Sequence, residues 1–136
     1  MIVLVDADVL LDVALDRAPF VGDAAALLDR LERGPSRGVI AWHTLANFYY
    51  LVSPRSGRAS ARKFVSELTQ FLEVAPTTTV HARLAIESPV SDFEDALQVA
   101  AAVAAGADFI ATRNIKDFRR SPVSALTPGQ VLEKLA

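Results

Sequence analysis

The N-terminal residues Ile2 to Val5 are uninterruptedly apolar and mostly β-branched, and the run stops on Asp6, with Asp8 close behind. A short continuous apolar run is the pattern of a strand covered on both faces, which belongs to parallel sheets with helices packed on either side. Parallel neighbours cannot be joined by tight hairpins, so the other strands have to arrive through crossover helices. The rest of the chain meets that requirement. Strands are predicted at Gly38 to Trp42, Leu72 to Ala75 and Phe109 to Ala111. Helical spacing falls over Asp8 to Leu15, Ala24 to Arg33, Ala59 to Phe71, Thr79 to Glu87 and Ser91 to Ala105, the last closed by Gly106. Thr44 reads as the cap of a helix reaching Val52, Ser53 to Gly57 as a loop, and Thr127-Pro128 as the start of a final helix. The expected fold is α/β: a three-layer α/β/α sandwich with a mostly parallel central sheet, residues 1–136 forming one domain.

Composition removes several classes of function. At 51% hydrophobic and 22% charged residues the chain has a core to bury and is not a disordered one. There is no cysteine, so no disulfide framework and no thiolate zinc site. No apolar run nears the about 20 residues of a membrane span, and the first is too short for a signal peptide, so the expected setting is cytoplasmic with no membrane. The formal net charge of −2 means that a polyanion has to be met by local basic groups. Two such groups exist, Arg55, Arg58, Arg62 and Lys63, and Arg113, Lys116, Arg119 and Arg120; the plain reading of either is solvated surface charge.

In open parallel sheets, ligands bind beyond the carboxyl ends of the strands. Asp6 ends the first strand, His43, Thr44 and Asn47 follow the second, Asp92 and Asp95 open the alanine-rich helix, and Thr112, Asn114 and Asp117 follow Phe109 to Ala111. Four segments therefore bring acids and amides to one edge. Carboxylate and amide oxygens are the ligands that hard cations such as Mg²⁺ or Mn²⁺ select, and a cation among them is suited to hydrolysing a phosphodiester. Simpler roles compete. Ser91-x-x-Glu94 is a capping-box pattern and Asp92-x-x-Asp95 nearly one. Asp95 shares a helical face with Asp92, whereas Glu94 points off it and reads as solvated. Asp8 reads as a helix cap, a support for the turn or a contact to a metal's water shell. Asp12 and Asp16 read as surface charges, and Trp42 and the phenylalanines as core. With only His43 and His81, and with no G-x-S-x-G, P-loop or G-x-G-x-x-G pattern, multi-histidine zinc centres, hydrolase triads and nucleotide cradles lack their signals.

Taken together, LVDADVLLD, TLANFYYLV, SDFEDALQVAAA and FIATRNIKDF resemble the PIN-domain ribonucleases, in particular VapC-like toxins of a subgroup with Asn in place of the second acid. The resemblance implies an α/β/α sandwich, a Mg²⁺- or Mn²⁺-dependent endoribonuclease acting on RNA, a cognate antitoxin and a homodimer. Carried over by motif, it makes Asp6 and Asp95 metal ligands and places Asn47 and Asn114 at the second and fourth acidic positions. Asp92 becomes a candidate replacement carboxylate, and Asp117 a further contributor. Thr44 and Thr112 become groups that orient carboxylates or caps, and Arg113 and Lys116 groups that meet phosphates. Two amides for two acids imply a more weakly held cation. Two alternatives stand beside this reading. One is a degenerate, non-catalytic member that binds RNA or a protein. The other is a haloacid-dehalogenase-like phosphatase with Asp6 as nucleophile and Asp8 as acid, which leaves TLANF and TRNIKDF without a role.

Overall fold

A computed structural model describes residues 1–136. The apolar N-terminal run is strand β1 (Ile2–Val5), and it lies at the centre of a five-stranded sheet. Its neighbours are β2 (Arg37–Ile40) and β4 (Phe109–Ala111), with β3 (Leu72–Val74) and β5 (Ser124–Leu126) at the edges, and every pairing is parallel. Val3, Leu4 and Val5 have no exposed surface. Because alternate strand residues face opposite sides, Val3 and Val5 enter one apolar cluster with Leu27, Phe48 and Val131. Leu4 enters a second with Ala100, Ile110 and Phe118. Helices α1 (Ala7–Ala14), α2 (Val21–Arg33), α3 (Trp42–Ser56), α4 (Arg58–Leu68) and α7 (Pro128–Leu135) furnish the first cluster. Helices α5 (Thr79–Ile86) and α6 (Phe93–Ala105) furnish the second, completing the three layers. Phe48 is 1% exposed, so truncating it to alanine costs about 3–5 kcal/mol. No helix is long and apolar enough to cross a membrane.

Close packing explains one glycine: a Cβ on Gly38 in β2 would lie 2.4 Å from Leu72 Cδ2 and 3.0 Å from Leu31 Cδ1. Gly106 adopts the left-handed conformation, φ 66°, that closes α6 where the spacing predicts. Thr127 caps α7 by accepting from the Gln130 N–H, with Pro128 in the first turn.

Several expectations are corrected. The segment read as a loop, Ser53 to Gly57, is the last turn of α3, which runs through Pro54 to Ser56 and ends at Gly57, φ 87°. Pro54 has no N–H to offer the Tyr50 carbonyl one turn back, which costs the ladder one bond near the helix's end. Helix α3 also starts earlier than expected, at Trp42, so Thr44 is not its cap. Asp8 is not a cap either: Asp6 caps α1, its Oδ1 accepting from the Ala7 N–H at 2.7 Å. Strand β5 (Ser-Ala-Leu), which lacks β-branched and aromatic residues, and a 3-10 helix over Ile115–Phe118, little more than one turn, carry no sequence signal of their own.

Candidate metal centre

β1 and β4 run side by side and end together, with Val5 paired to Ala111, so the residues that follow them meet. Asp6, 6% exposed, accepts from the Thr112 hydroxyl at 2.8 Å through Oδ2. That hydroxyl also lies 3.3 Å from Asp8 Oδ2, which accepts from the Arg113 backbone N–H at 3.1 Å and the Asn114 amide at 3.3 Å. Asp8 Oδ1, although buried, has no partner. The hydrogen bonds thus hold Asp6 and Asp8 in fixed orientations while leaving an oxygen free.

The N-terminus of α6 supplies the facing group. Asp92 caps it, accepting from the Asp95 N–H at 3.0 Å. Carboxylate oxygens of Asp92, Glu94 and Asp95 lie within 4.8 Å of one another. Glu94 is not solvated as the helical spacing suggests. Its Oε1 lies 3.1 Å from His43 Nε2 and accepts from the Gln98 amide at 3.1 Å and the Asn47 amide at 3.4 Å. The reason is α3, which covers the face that looks open when α6 is considered alone. Thr44, fully buried on α3, accepts from the same Gln98 amide at 3.0 Å.

Electrostatics follow from this packing. Burial first, then the charge of Asp8, pushes the Asp6 carboxyl up to about 7, with Glu94 adding to the push. Burial first, then Asp92, brings Asp95 to about 7 as well, with Glu94 and Asp117 contributing. Asp8 is raised by burial. Glu94 moves the other way, lowered chiefly by its hydrogen bond to His43. No lysine or arginine forms an ion pair with Asp6, Asp8, Asp92, Asp95 or Asp117. Crowded carboxyls, an unpartnered buried oxygen and the absence of an ion pair to any of these acids fit a hard divalent cation, for which an all-oxygen donor set is the preferred environment.

A PIN-domain family model matches residues 2–116 of this sequence. The chain belongs to the PIN-domain family. No curated protein sequence matches it. Among solved structures, this PIN domain is similar to a chain of VapBC2 from Rickettsia felis, bound to a DNA fragment from its promoter. That match has TM-score 0.69, 20% identity and coverage of 93% of this chain and 98% of the other. VapBC-1 from nontypeable Haemophilus influenzae gives TM-score 0.70 at 16% identity, covering 94% and 98%. The sarcin-ricin loop cleaving toxin VapC20 of Mycobacterium tuberculosis gives 0.63 at 17%, covering 79% and 86%. At such identities the likeness is one of fold, and the sandwich expected from the sequence is the fold observed. Membership in the PIN family also replaces the phosphatase alternative.

Within the PIN domain, Asp6, Asp8, Asn47, Asp92, Asp95, Thr112, Asn114 and Asp117 are gathered at one edge through these contacts and fields. Further residues differ from expectation, among them Phe20 and Phe93, which are exposed rather than in the core. Asp12 is not a surface charge but fully buried, held by Arg113 through Nε at 2.7 Å and Nη2 at 3.1 Å. Arg113, stacked 4.0 Å over the Phe20 ring, is therefore engaged by its guanidinium; it donates to the centre through its backbone N–H, and its charge partly offsets the burial that raises the Asp8 carboxyl. Trp42, expected in the core, is 70% exposed. Beside the acids, a trough of about 630 Å³ is lined by Lys116, Arg119, Arg120, Asp117 and the Pro89–Ser91 turn.

Proposed function

We propose that this PIN domain, acting as one unit over residues 1–136, is a Mg²⁺- or Mn²⁺-dependent endoribonuclease and the toxin of a VapBC-type toxin–antitoxin pair. The observation that carries the reading is the set of carboxyls gathered around Asp6 and Asp95, pushed up to about 7, with a buried Asp8 oxygen unpartnered and no lysine or arginine paired to them. Such a set is strained unless a cation joins it. The similarity to the sarcin-ricin loop cleaving toxin VapC20 supports RNA as substrate, and that to VapBC2 and VapBC-1 supports a cognate antitoxin as partner. By the same kinship we place it in the cytoplasm as a homodimer.

In this reading Asp6, Asp92 and Asp95 hold the cation. Once bound, it supplies a lowered pKa for a water and charge stabilisation at the phosphate. Thr112 fixes the Asp6 and Asp8 carboxylates, and Asn114 holds Asp8 from the side. Asn47, His43 and Gln98 hold Glu94 ionised at the rim of the cluster, where it takes the part the sequence pattern left to an acid at position 47. Asp117 adds its field to Asp95. Lys116, Arg119 and Arg120 flank the centre with positive charge for the phosphates on one side of the scissile bond. Arg113, expected to share that task, instead anchors the loop that carries Thr112 and Asn114.

Incubating the protein with total RNA in Mn²⁺, in Mg²⁺ and in chelator tests the proposal, beside Asp6→Ala and Asp95→Ala variants whose circular dichroism matches the parent. Metal-dependent cleavage lost in both variants is the expected result. Cleavage that persists in chelator, or in Asp6→Ala, refutes it.

A further inference from the structure

A second depression, about 190 Å³, opens between the N-terminal ends of α3 and α5 against α6. It touches the acidic centre through His43, which lines the depression and lies 3.1 Å from Glu94. Its floor is apolar, made by Leu97, Ala100 and Ala101 of α6, and Trp42 forms part of its wall. Trp42 is the only tryptophan in the chain and is 70% exposed, an unusual position for so large an apolar ring without a partner. His81 supplies the polar edge. Its Nδ1 accepts from the Thr78 backbone N–H at 3.0 Å, a group that can only donate. The neutral imidazole therefore carries its proton on Nε2, leaving a fixed donor on a residue that lines the depression. The volume is that of roughly six waters at ~30 Å³ each, below the 300 Å³ or so of a cofactor pocket and suited to one planar ring system.

We infer that this depression takes one unpaired nucleobase of the RNA, next to the phosphate handled by the acidic centre. Trp42 offers a stacking face, and His81 Nε2–H a donor to a ring or exocyclic acceptor on the base edge. The inference rests on the ribonuclease reading and adds a base-reading subsite to it. A base has an apolar face and a polar rim, matching a floor of small apolar side chains with donors at the edge. A peptide side chain or a second copy of the chain could cover the same surface, but neither accounts for a depression joined to the acids by His43.

The sole tryptophan is its own probe. In chelator, so that no bond is cut, Trp42 emission is titrated with single-stranded RNA hexamers of each base and with an abasic ribose–phosphate hexamer. Saturable quenching by base-bearing hexamers and not by the abasic one is the expected result. His81→Asn retains an acceptor for the Thr78 N–H, while its shorter side chain withdraws the donor from the position that Nε2 holds. It should leave the melting temperature unchanged and weaken binding about tenfold, with loss of preference among bases. In cleavage assays Trp42→Phe should raise KM less than Trp42→Ala, whose increase is about tenfold to a hundredfold. Equal quenching by the abasic hexamer, no quenching by any hexamer, or an emission shift that follows protein concentration alone would each overturn the subsite. RNA cleavage with no base-dependent quenching would sink the subsite and leave the nuclease standing. Base-dependent quenching without cleavage in any metal would leave the subsite and sink the nuclease.

Discussion

Asp6 and Asp12 bracket most of helix α1, and both are withdrawn from solvent, at 6% and 0% exposure. Their surroundings are opposite. Asp12 meets a guanidinium through two hydrogen bonds, while Asp6 meets another carboxylate, a hydroxyl and no cation at all. A buried charge with a fitted partner holds a loop in place; a buried charge denied one is a site made for something that arrives from outside. The two should therefore answer to mutation with opposite signs.

The largest expected effect is on catalysis. Residues that only orient metal ligands are worth about 10–100-fold, so Asp6→Ala should lower RNA cleavage by more than about a hundredfold, measured as initial rate in Mn²⁺. Asp6→Asn should do the same while raising the melting temperature in chelator, because it removes a repelled carboxylate. A lower melting temperature there would contradict the comparison. Next comes the partnered end. Arg113→Met removes both hydrogen bonds to the buried Asp12 carboxylate, leaving it only Arg17 at 3.9 Å, and should cost about 3 kcal/mol in urea unfolding, most of it recovered by the Asp12→Leu, Arg113→Met pair. A fully additive double mutant would show that the two do not act as a unit.

A smaller effect is expected from Thr112→Val, which keeps the shape but removes the hydroxyl between Asp6 and Asp8. Calorimetry should find Mn²⁺ bound about 10–100-fold more weakly. The gentlest probe is pH. Since the Asp6 carboxyl is raised from 3.8 to about 7, the native state holds more protons than the unfolded chain in that interval. Stability without metal is full below about pH 4 with respect to this group and declines as pH rises through about 7. Mn²⁺ binds the deprotonated form and should lift the melting temperature most at the upper end, and Asp6→Asn should flatten the metal-free slope.

What the sequence could convey divides along similar lines. The apolar run of β1, the Gly106 stop and the Thr127-Pro128 start are local signals, legible because each is decided by its own few residues. So is the delivery of Asp6, Asp92, Asp95 and Asn114 to one edge, which follows from the parallel sheet. Glu94 and Asp12 were not legible, for a shared reason: each looks solvated on its own helix and is covered by a distant segment, Glu94 by α3 and Asp12 by the loop at Arg113. Trp42 misled in the other sense, since apolar character predicts burial only when the helix face is covered. Strand β5, Ser-Ala-Leu, has no β-branched or aromatic residue to mark it and is a strand through its pairing with β4.

The central place of β1 in the sheet also sets a clock. Asp6 leaves the ribosome well before the hydroxyl that aligns it, which sits 106 residues later, an interval of roughly 5–20 s at translation rates of about 5–20 residues per second. Until then one flank of β1 has no neighbour, and the carboxylates have nothing to order them. A nascent chain thus lacks an assembled centre until Thr112 has been made, and any product truncated before that residue never gains one.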